Sequence, residues 1–307
     1  MKITPLAQAE DRPRHLAVGT FDGVHLGHRE VIAGADAVLT FDPHPTSVVA
    51  PGHEPRLLTT LERKAELVAS LGVRELVVIE FDASFAAQSA RAFVDDVLLG
   101  RLGAVSVSVG ENFRFGHRAR GDAALLAADG RFQTRVMPLL EVDGEIVSSS
   151  HIRGLVAGGA LEYAGTLLGA PFVMDGTVEH GDKRGRTLGY PTANLVPRDG
   201  FCTPGHGVYA CRARTSDGAW RLAAVNVGVR PMFESGRGEL VEAYLIDFDG
   251  DLYGQDLRLE FVKRLRGEKR FDSVDALIER MALDVAETRV VVVSGPDATP
   301  GPAAAPC

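Results

Sequence analysis

The sequence predicts an α/β protein in which a parallel sheet is followed by a small antiparallel barrel with a C-terminal helix. From Leu16 to about Gly169, apolar runs typical of strands alternate with amphipathic runs typical of helices. That alternation indicates a parallel sheet covered on both faces. Beyond 169–172 the strands alternate with tight turns instead, as they do in antiparallel barrels. We therefore expect domains over 1–169 and 170–293, and a disordered tail rich in Pro, Gly and Ala over 294–307.

The elements of the first domain follow from local periodicity. Thr59 and Glu62 predict a capping box for one helix, and Ser89 opens another. The expected strands are 16–20, 37–41, 76–81, 105–110 and 132–138, and the expected helices are 60–71 and 89–102.

In the second domain, turn residues predict hairpins over 207–228 and 240–262. Their turns are expected at 216–218 and 249–251. A final helix is expected to begin near Asp272 and Ser273.

Composition limits the class of protein. The chain has 307 residues, of which 45% are hydrophobic, and this is enough for two cores. The net charge of −8, with acidic and basic residues interspersed, disfavours nucleic-acid binding. Three cysteines without metal spacing disfavour a disulfide framework or a zinc site. With no signal-like or membrane-spanning apolar run, we expect a cytoplasmic protein with small-molecule partners, monomeric or transiently self-associated.

The stretch AVGTFDGVHLGH, residues 17–28, reads as a buried strand that ends in glycines and opens a helix. Gly19 and Gly23 let the backbone approach a ligand closely. His25 and His28 stand three residues apart where the helix would begin, so both imidazoles can face one polyphosphate. Taken alone, the pair fits a metal site or two solvated histidines equally well.

Two further loops follow strands of the same sheet and should lie at the same edge. FDPHP at 41–45 holds Asp42 and His44 beside prolines that fix the backbone. GENFRFG at 110–116 offers Asn112 and two aromatic rings, one of them Phe115, at the mouth of a loop. Each loop by itself is better explained as a proline turn or as a loop anchored by aromatics.

The run SSSHIR at 148–153 precedes a helical pattern. Its hydroxyls, including that of Ser149, suit a helix cap, and Arg153 could contact phosphate in a bidentate way. By itself the run indicates only a helix start.

The second domain has two motifs suited to chemistry. HGDKRGRTLGYPTANL at 180–195 is a basic, glycine-rich loop that suits a polyphosphate. It ends in Thr192 and Asn194, oxygen ligands one residue apart on one strand face, and such ligands suit Mg²⁺. In LVEAYLIDF, 240–248, Glu242 lies on a strand that reads as apolar on both faces, so its carboxylate should be buried and paired or line a cavity.

Together these motifs resemble those of the prokaryotic bifunctional riboflavin kinase/FAD synthetases. The first part is similar to their adenylyltransferase half, with G-x-F-D-G-V-H-x-G-H, T-F-D-P-H-P, G-x-N-F-x-F-G and S-S-T-x-I-R, where Ser150 replaces the usual Thr. The second part is similar to their kinase module, with G-R-x-L-G-[FY]-P-T-A-N, V-E-A-Y-L-I-D-F and R-x-E-K-R-F-D-S. The resemblance covers roughly 16–292.

The resemblance implies a Rossmann-like nucleotidyltransferase domain followed by a riboflavin kinase barrel. It implies two ATP-dependent steps, riboflavin to FMN and FMN to FAD with release of pyrophosphate, so ATP, riboflavin, FMN and FAD are the expected partners. By motif match, Glu242 would be the kinase base, and Thr192 and Asn194 would hold the Mg²⁺ that accompanies ATP. The other implied roles are catalysis of adenylyl transfer for His25, His28 and Arg153, nucleotide binding for Gly19, Phe21, Gly23, Ser149, Gly181, Gly185 and Arg186, and flavin binding for Asp42, Asn112, Phe115 and Arg266.

Two other classes of protein stay open from the sequence. One is a monofunctional enzyme whose other module only binds, and the second is a non-catalytic flavin or nucleotide sensor. The polar residues of both modules favour the bifunctional enzyme, because a sensor could lose Glu242 or His28 and still bind.

The segment after His28 departs from the family pattern. Only eight residues precede the strand at Ala37, whereas the family usually has a helix longer by roughly two to three turns. Val31, Ile32 and Ala33 are the expected core-facing residues. We therefore expect a competent but less stable first domain.

Overall fold

The computed structural model describes residues 1–180, 189–229 and 239–294. The chain divides into two compact units, the first Met1–His151 and the second starting at Ile152. The predicted boundary after Gly169 therefore falls inside the second unit, and the predicted tail beyond Ser294 lies outside the described residues. Within the described ranges, no helix is long and apolar enough to cross a membrane.

The first unit is built on a six-stranded sheet in which every neighbouring pair is parallel. Its order is β1-β4-β3-β2-β5-β8. The strands are β1 Lys2–Pro5, β2 Arg14–Val18, β3 Ala37–Asp42, β4 Glu75–Glu80, β5 Ala104–Gly110 and β8 Gln133–Met137. Two short hairpins add β6 Arg114–Phe115, β7 Gly121–Asp122, β9 Glu141–Val142 and β10 Glu145–Ile146. The parallel sheet predicted from the sequence is confirmed.

Helices connect these strands. They are α1 Leu26–Ile32, α2 Pro45–Val49, α3 Leu61–Ser70, α4 Ala83–Ala86, α5 Ala90–Ala92 and α6 Ala123–Ala128, with a π-helix at Phe93–Arg101 and 3₁₀ turns at Leu6–Gln8 and His117–Ala119. Ser89 caps α5 as expected, since its hydroxyl accepts from the Ala92 N–H. The helix expected over 89–102 is therefore present, but only its first turn is an α-helix and the rest, Phe93–Arg101, is a π-helix.

The capping box predicted at Thr59 and Glu62 is wrong by one residue. Thr60 caps α3, because its hydroxyl accepts from the Arg63 N–H at 3.1 Å. Thr59 instead accepts from the Gly23 N–H at 3.1 Å. Both threonines can cap by local sequence, and a contact with a distant loop decides between them.

The strand order reverses at β2, since the chain first adds β3 and β4 on one side and then β5 and β8 on the other. Two apolar clusters fill the two faces of the sheet, with Leu16 and Val18 in one and Ala17 in the other. The loops that follow β2 and β5 therefore meet at the carboxyl end of neighbouring strands, where open α/β sheets bind ligands.

Helix α1 is as short as the sequence predicted, seven residues, and Gly34 after it has a φ of 81°. Val31 and Ile32 are buried, as expected. Ala33 is exposed, which corrects its expected place in the core. Because α1 ends at Ile32, Ala33 has already left the face that packs on the sheet.

The second unit contains a closed six-stranded antiparallel barrel of order β11-β12-β15-β14-β13-β16. Its strands are β11 Phe172–Glu179, β12 Ala193–Pro197, β13 Gly207–Arg214, β14 Trp220–Val229, β15 Glu239–Leu245 and β16 Asp256–Arg266. Its helices are α7 Ser149–Gly158, which begins in the first unit, α8 Leu161–Leu168 and α9 Val274–Ser294. Ser273 caps α9 by accepting from the Ala276 N–H, which confirms the predicted helix start.

The predicted hairpin over 207–228 is confirmed by the pairing of β13 with β14. The predicted hairpin over 240–262 is wrong, because β15 and β16 are not neighbours. β15 already pairs with β12 and β14, and β16 closes the barrel between β11 and β13. A strand in a closed barrel has two neighbours only, so the segment through 249–251 is a connection and not a hairpin turn.

Candidate functional site

The loop between β2 and α1 has a constrained backbone. Gly19 tolerates no side chain easily, since an added Cβ would lie 3.1 Å from the Phe21 ring. Gly23 has a φ of 84°, and the non-glycine residues Phe21 and Val24 have φ values of 48° and 43°. Left-handed conformations are unfavourable for such residues, for the β-branched Val24 above all, and persist only where surrounding contacts impose them.

The two predicted histidines are in direct contact. Their rings stack at 3.6 Å between centroids with 16° between planes. His25 is 5% exposed and caps α1, because its Nδ1 accepts from the His28 N–H at 3.3 Å. His28 is half-buried and meets the Phe21 ring edge-on. His25 therefore has a structural function as well, and His28 is the more accessible imidazole.

The second loop starts at Asp42, the last residue of β3, whose side chain is exposed. His44 caps α2 by accepting at Nδ1 from the Thr46 N–H. Since β3 is the neighbour of β2, Asp42 lies at the same edge of the sheet as the loop after β2.

The third loop follows β5 and carries Asn112, which is exposed. Phe115 is only 7% exposed and belongs to the apolar core, where it contacts Phe93. Phe113 is partly exposed and stacks on Phe115 with 5.5 Å between centroids and 18° between planes. The ring that can meet a ligand is therefore Phe113, and Phe115 supports it; the flavin role given to Phe115 stays a prediction.

The start of α7 contacts the first loop. The Ser149 hydroxyl donates to the Asp22 carbonyl at 3.0 Å, so it holds the loop. Ser148, and not a later serine, accepts from the His151 N–H at the helix start. Arg153 lies further along α7, in the second unit, and its role at the first unit's loops stays a prediction.

In the second unit, the strand register aligns four polar residues in one row across the barrel. Asn194 on β12 is opposite Glu179 on β11 and Glu242 on β15, and Glu242 is opposite Asn226 on β14. Cross-strand partners share a face of the sheet and lie about 4.5–5.5 Å apart at Cβ. The register thus groups two carboxylates and two amides, although only Asn194 and Glu242 were predicted.

Glu242 lies on the outer face of the barrel, whereas Asn194 in the same row is buried at 8% exposure. Val241, Ala243 and Leu245 are buried at 0%, 0% and 4% exposure, whereas Glu242 and Tyr244 between them are partly exposed. This corrects the expectation of a strand apolar on both faces. The carboxylate of Glu242 is therefore accessible to a ligand without leaving the sheet.

A cavity of about 700 Å³ opens beside the same strands. Thr192 lines it, at the residue before β12, together with Ala243 of β15 and the connection around 248–253. Two carboxylates of that connection, Asp249 and Asp251, line it as well. The His180 ring lies 3.8 Å from the Tyr253 ring between centroids. The cavity therefore joins the segments before and after the predicted glycine-rich loop.

Arg266 continues the row across the barrel, since its partner Val208 lies opposite Asn226. Its guanidinium donates to both carboxylate oxygens of Asp284 on α9, at 2.7 to 3.1 Å, and Asp284 is 3% exposed. Arg266 thus fastens α9 to the barrel, and its predicted flavin contact remains a prediction.

The predicted nucleotide-binding residues Gly181, Gly185 and Arg186 lie outside the described residues. Over the ranges that are described, no cluster of three His, Cys, Asp or Glu side chains forms a metal site. The donors predicted for Mg²⁺, a hydroxyl and an amide, are of other types.

Family models match both parts of the chain, one described as FAD synthetase over residues 7–151 and one as riboflavin kinase over residues 168–292. A protein of Listeria monocytogenes named bifunctional riboflavin kinase/FMN adenylyltransferase is 38% identical over 89% of this chain and 91% of its own. The protein of the same name from Escherichia coli K12 is 36% identical over 92% of this chain and 94% of its own.

A solved structure described as a macrolide-efflux protein from Streptococcus pneumoniae superposes with a TM-score of 0.84 at 30% identity, covering 94% of this chain and 99% of that one. The family models and the curated relatives agree on both parts of the chain. The chain therefore belongs to the family of bifunctional riboflavin kinase/FMN adenylyltransferases.

Proposed function

We propose that this chain converts riboflavin to FMN in its second unit and FMN to FAD in its first, each step using ATP. The observation that carries the proposal is the grouping of the motif residues in both units. His25 and His28 stack beyond β2, beside the loop that follows β5. Glu242 and Asn194 face each other on the barrel.

In the kinase step, the terminal hydroxyl of the ribityl chain attacks the γ-phosphorus of ATP. The bond from that phosphorus to the bridging oxygen breaks, and ADP leaves. Glu242 takes the hydroxyl proton as a general base, a role that its partial exposure allows. The adjacent cavity, with Thr192 in its wall, is the proposed place for the nucleotide.

The oxygen donors of the row fit Mg²⁺. Asn194 is flanked by the carboxylates of Glu179 and Glu242, and a hard cation prefers such ligands. Thr192 and Asn194 would hold the ion, as the motif implies. Mg²⁺ bound there would neutralise phosphate charge that develops during transfer.

In the adenylyl transfer, a phosphate oxygen of FMN attacks the α-phosphorus of ATP. The bond to the oxygen that bridges the α- and β-phosphorus breaks, and pyrophosphate leaves. No covalent enzyme intermediate is needed, so the residues act by positioning and by stabilising charge. We assign charge stabilisation to His25, His28 and Arg153, the flavin to Asp42, Asn112 and the Phe113–Phe115 stack, and the nucleotide to the backbone of Gly19, Phe21 and Gly23.

Chromatography of flavins after incubation with riboflavin, ATP and Mg²⁺ tests the proposal. We expect FMN to appear first and FAD to follow from it. FMN that never proceeds to FAD would support a monofunctional enzyme. Binding without any turnover would support a sensor. A reaction started from FMN and ATP isolates the second step, so each unit is tested separately.

A further inference from the structure

Lys64 is a buried lysine that the proposed function leaves without a role. It lies on α3 with a total exposure of 8%, on the face that also buries Ala65 and Val68. An ammonium taken from water into a protein interior costs free energy unless polar groups and opposite charges surround it. The contacts of Lys64 should therefore explain why a lysine stands there.

Those contacts join three elements at the carboxyl end of the sheet. Lys64 Nζ donates to the Thr20 carbonyl at 2.7 Å and to Thr40 Oγ1 at 3.2 Å. The Thr40 hydroxyl, fully buried, donates to the same Thr20 carbonyl at 3.0 Å. Thr20 opens the loop after β2, and Thr40 lies near the end of β3. One ammonium thus fixes the first peptide of the loop.

The loop needs such a constraint because its backbone is strained at Phe21 and Val24. Its middle is held separately, since the Asp22 carboxylate accepts from the Leu58 N–H at 2.9 Å and the Thr59 N–H at 3.2 Å. Lys64 supplies the corresponding anchor at the start of the loop.

We propose that Lys64 is a positioning residue for adenylyl transfer, which holds the loop at 20–24 in the conformation that presents the backbone of Phe21 and the following His25 to the reactants. A trans peptide directs its carbonyl and its N–H to opposite sides. By holding the Thr20 carbonyl inward, Lys64 also sets the direction of the Phe21 N–H. This inference rests on the proposed function of the first unit.

The charges around Lys64 fit this role. The pKa of Lys64 is lowered to about 8. Burial is the larger effect and lowers the pKa, and the nearby carboxylates of Asp22 and Asp42 offset part of that decrease. Asp22 faces Lys64 from the loop after β2 and Asp42 from the end of β3. The ammonium is therefore mostly protonated at neutral pH, and its proton is lost within an accessible range of pH.

The first test is the variant Lys64→Met, with Lys2→Met as its matched control. Lys2 is the other lysine of the first unit, and its side chain is 61% exposed. We expect kcat for FMN adenylylation to fall about 10- to 100-fold in Lys64→Met, as misplacement of reactants does. Kinase activity of the same chain and both activities of Lys2→Met should stay unchanged. Thr40→Val, which removes one arm of the contact, should give a smaller loss.

The second test follows pH, and its activity measurement uses the wild-type protein alone, so that measurement does not depend on a variant that folds. The pKa of Lys64 in the folded state lies below that of a free lysine. The unfolded chain therefore binds more protons than the folded one between about pH 8 and 10, and the contribution of Lys64 to the free energy of unfolding rises with pH over that range. A positioning role predicts the opposite trend for activity. We expect the rate of adenylylation to fall above about pH 8. Over the same range, the stability of the first unit against thermal unfolding should rise relative to that of Lys64→Met.

The outcomes separate the two proposals. A wild-type protein that makes no FAD from FMN overturns the proposed function, and this inference with it. A wild-type protein that makes FAD equally well to pH 10, or a folded Lys64→Met variant with normal kcat, overturns the role of Lys64 alone. If the adenylylation rate changed with pH in parallel with the stability of the first unit, Lys64 would have a structural role and no positioning role.

Discussion

The short helix α1 depends on Arg135, and replacing this residue should weaken the first unit selectively. Arg135 on β8 donates from Nη2 to the carbonyls of Glu30, Val31 and Ala33, at 2.8, 3.3 and 2.7 Å. Glu30 and Val31 lie in the last turn of α1 and Ala33 follows it, where carbonyls have no partner within the helix. A helix of seven residues is far below the length that is stable alone, so this contact compensates for its missing turns.

The magnitude follows from these contacts. Because Arg135 is exposed, water screens its charge, and each of the two shorter hydrogen bonds should contribute about 0.5–1 kcal/mol, below the range for a charged donor. A cation at the carboxyl end of a helix adds about 0.3–1 kcal/mol. Arg135→Met should therefore destabilise the first unit by about 2 kcal/mol, which in a unit of this size lowers its midpoint by about 4–8 °C.

The assay is residual activity after timed incubation at rising temperature. FAD formation from FMN should be lost 4–8 °C earlier, by the same estimate of about 2–4 °C per kcal/mol, while FMN formation is unchanged. Arg91→Met is the matched control, because the Arg91 side chain is 88% exposed and its ion pair with Asp95 is a local one between residues i and i+4. Equal shifts in both variants, or kinase activity lost first, would refute the reasoning.

Three further predictions test the two sites. Glu242→Gln should lower riboflavin phosphorylation about 10²–10⁴-fold and leave FMN adenylylation intact, because it keeps the shape of the side chain but removes the base; parallel loss of both activities would contradict two separate sites. His28→Ala should do the reverse, so FMN accumulates in the flavin chromatogram; normal FAD formation would exclude a role for this imidazole. Asn194→Ala should raise the Mg²⁺ concentration needed for half-maximal kinase rate, with partial rescue by excess Mg²⁺; an unchanged Mg²⁺ titration would rule out Asn194 as a ligand.

The sequence by itself determined five of the six strands of the parallel sheet, all except β1, and the loops that carry the motifs. Leu16, Ala17 and Val18 are apolar in succession, a pattern that occurs where both faces of a strand are buried. A glycine or a proline then marks the end of β2, β3, β5 and β8. Because these signals are local, they are readable without any knowledge of distant contacts.

The tertiary structure decided which distant residues complete each site. Strand alternation fits several barrel orders, and only closure between β11 and β13 placed β16 away from β15 and aligned Glu179 and Asn226 with Glu242. Lys64 reaches a carbonyl 44 positions away, and Arg135 reaches one 105 positions away. A lysine on the apolar face of a predicted helix was a visible signal, but its partners were not, since long-range pairing is fixed by the packing of whole elements and not by the pattern within any one of them.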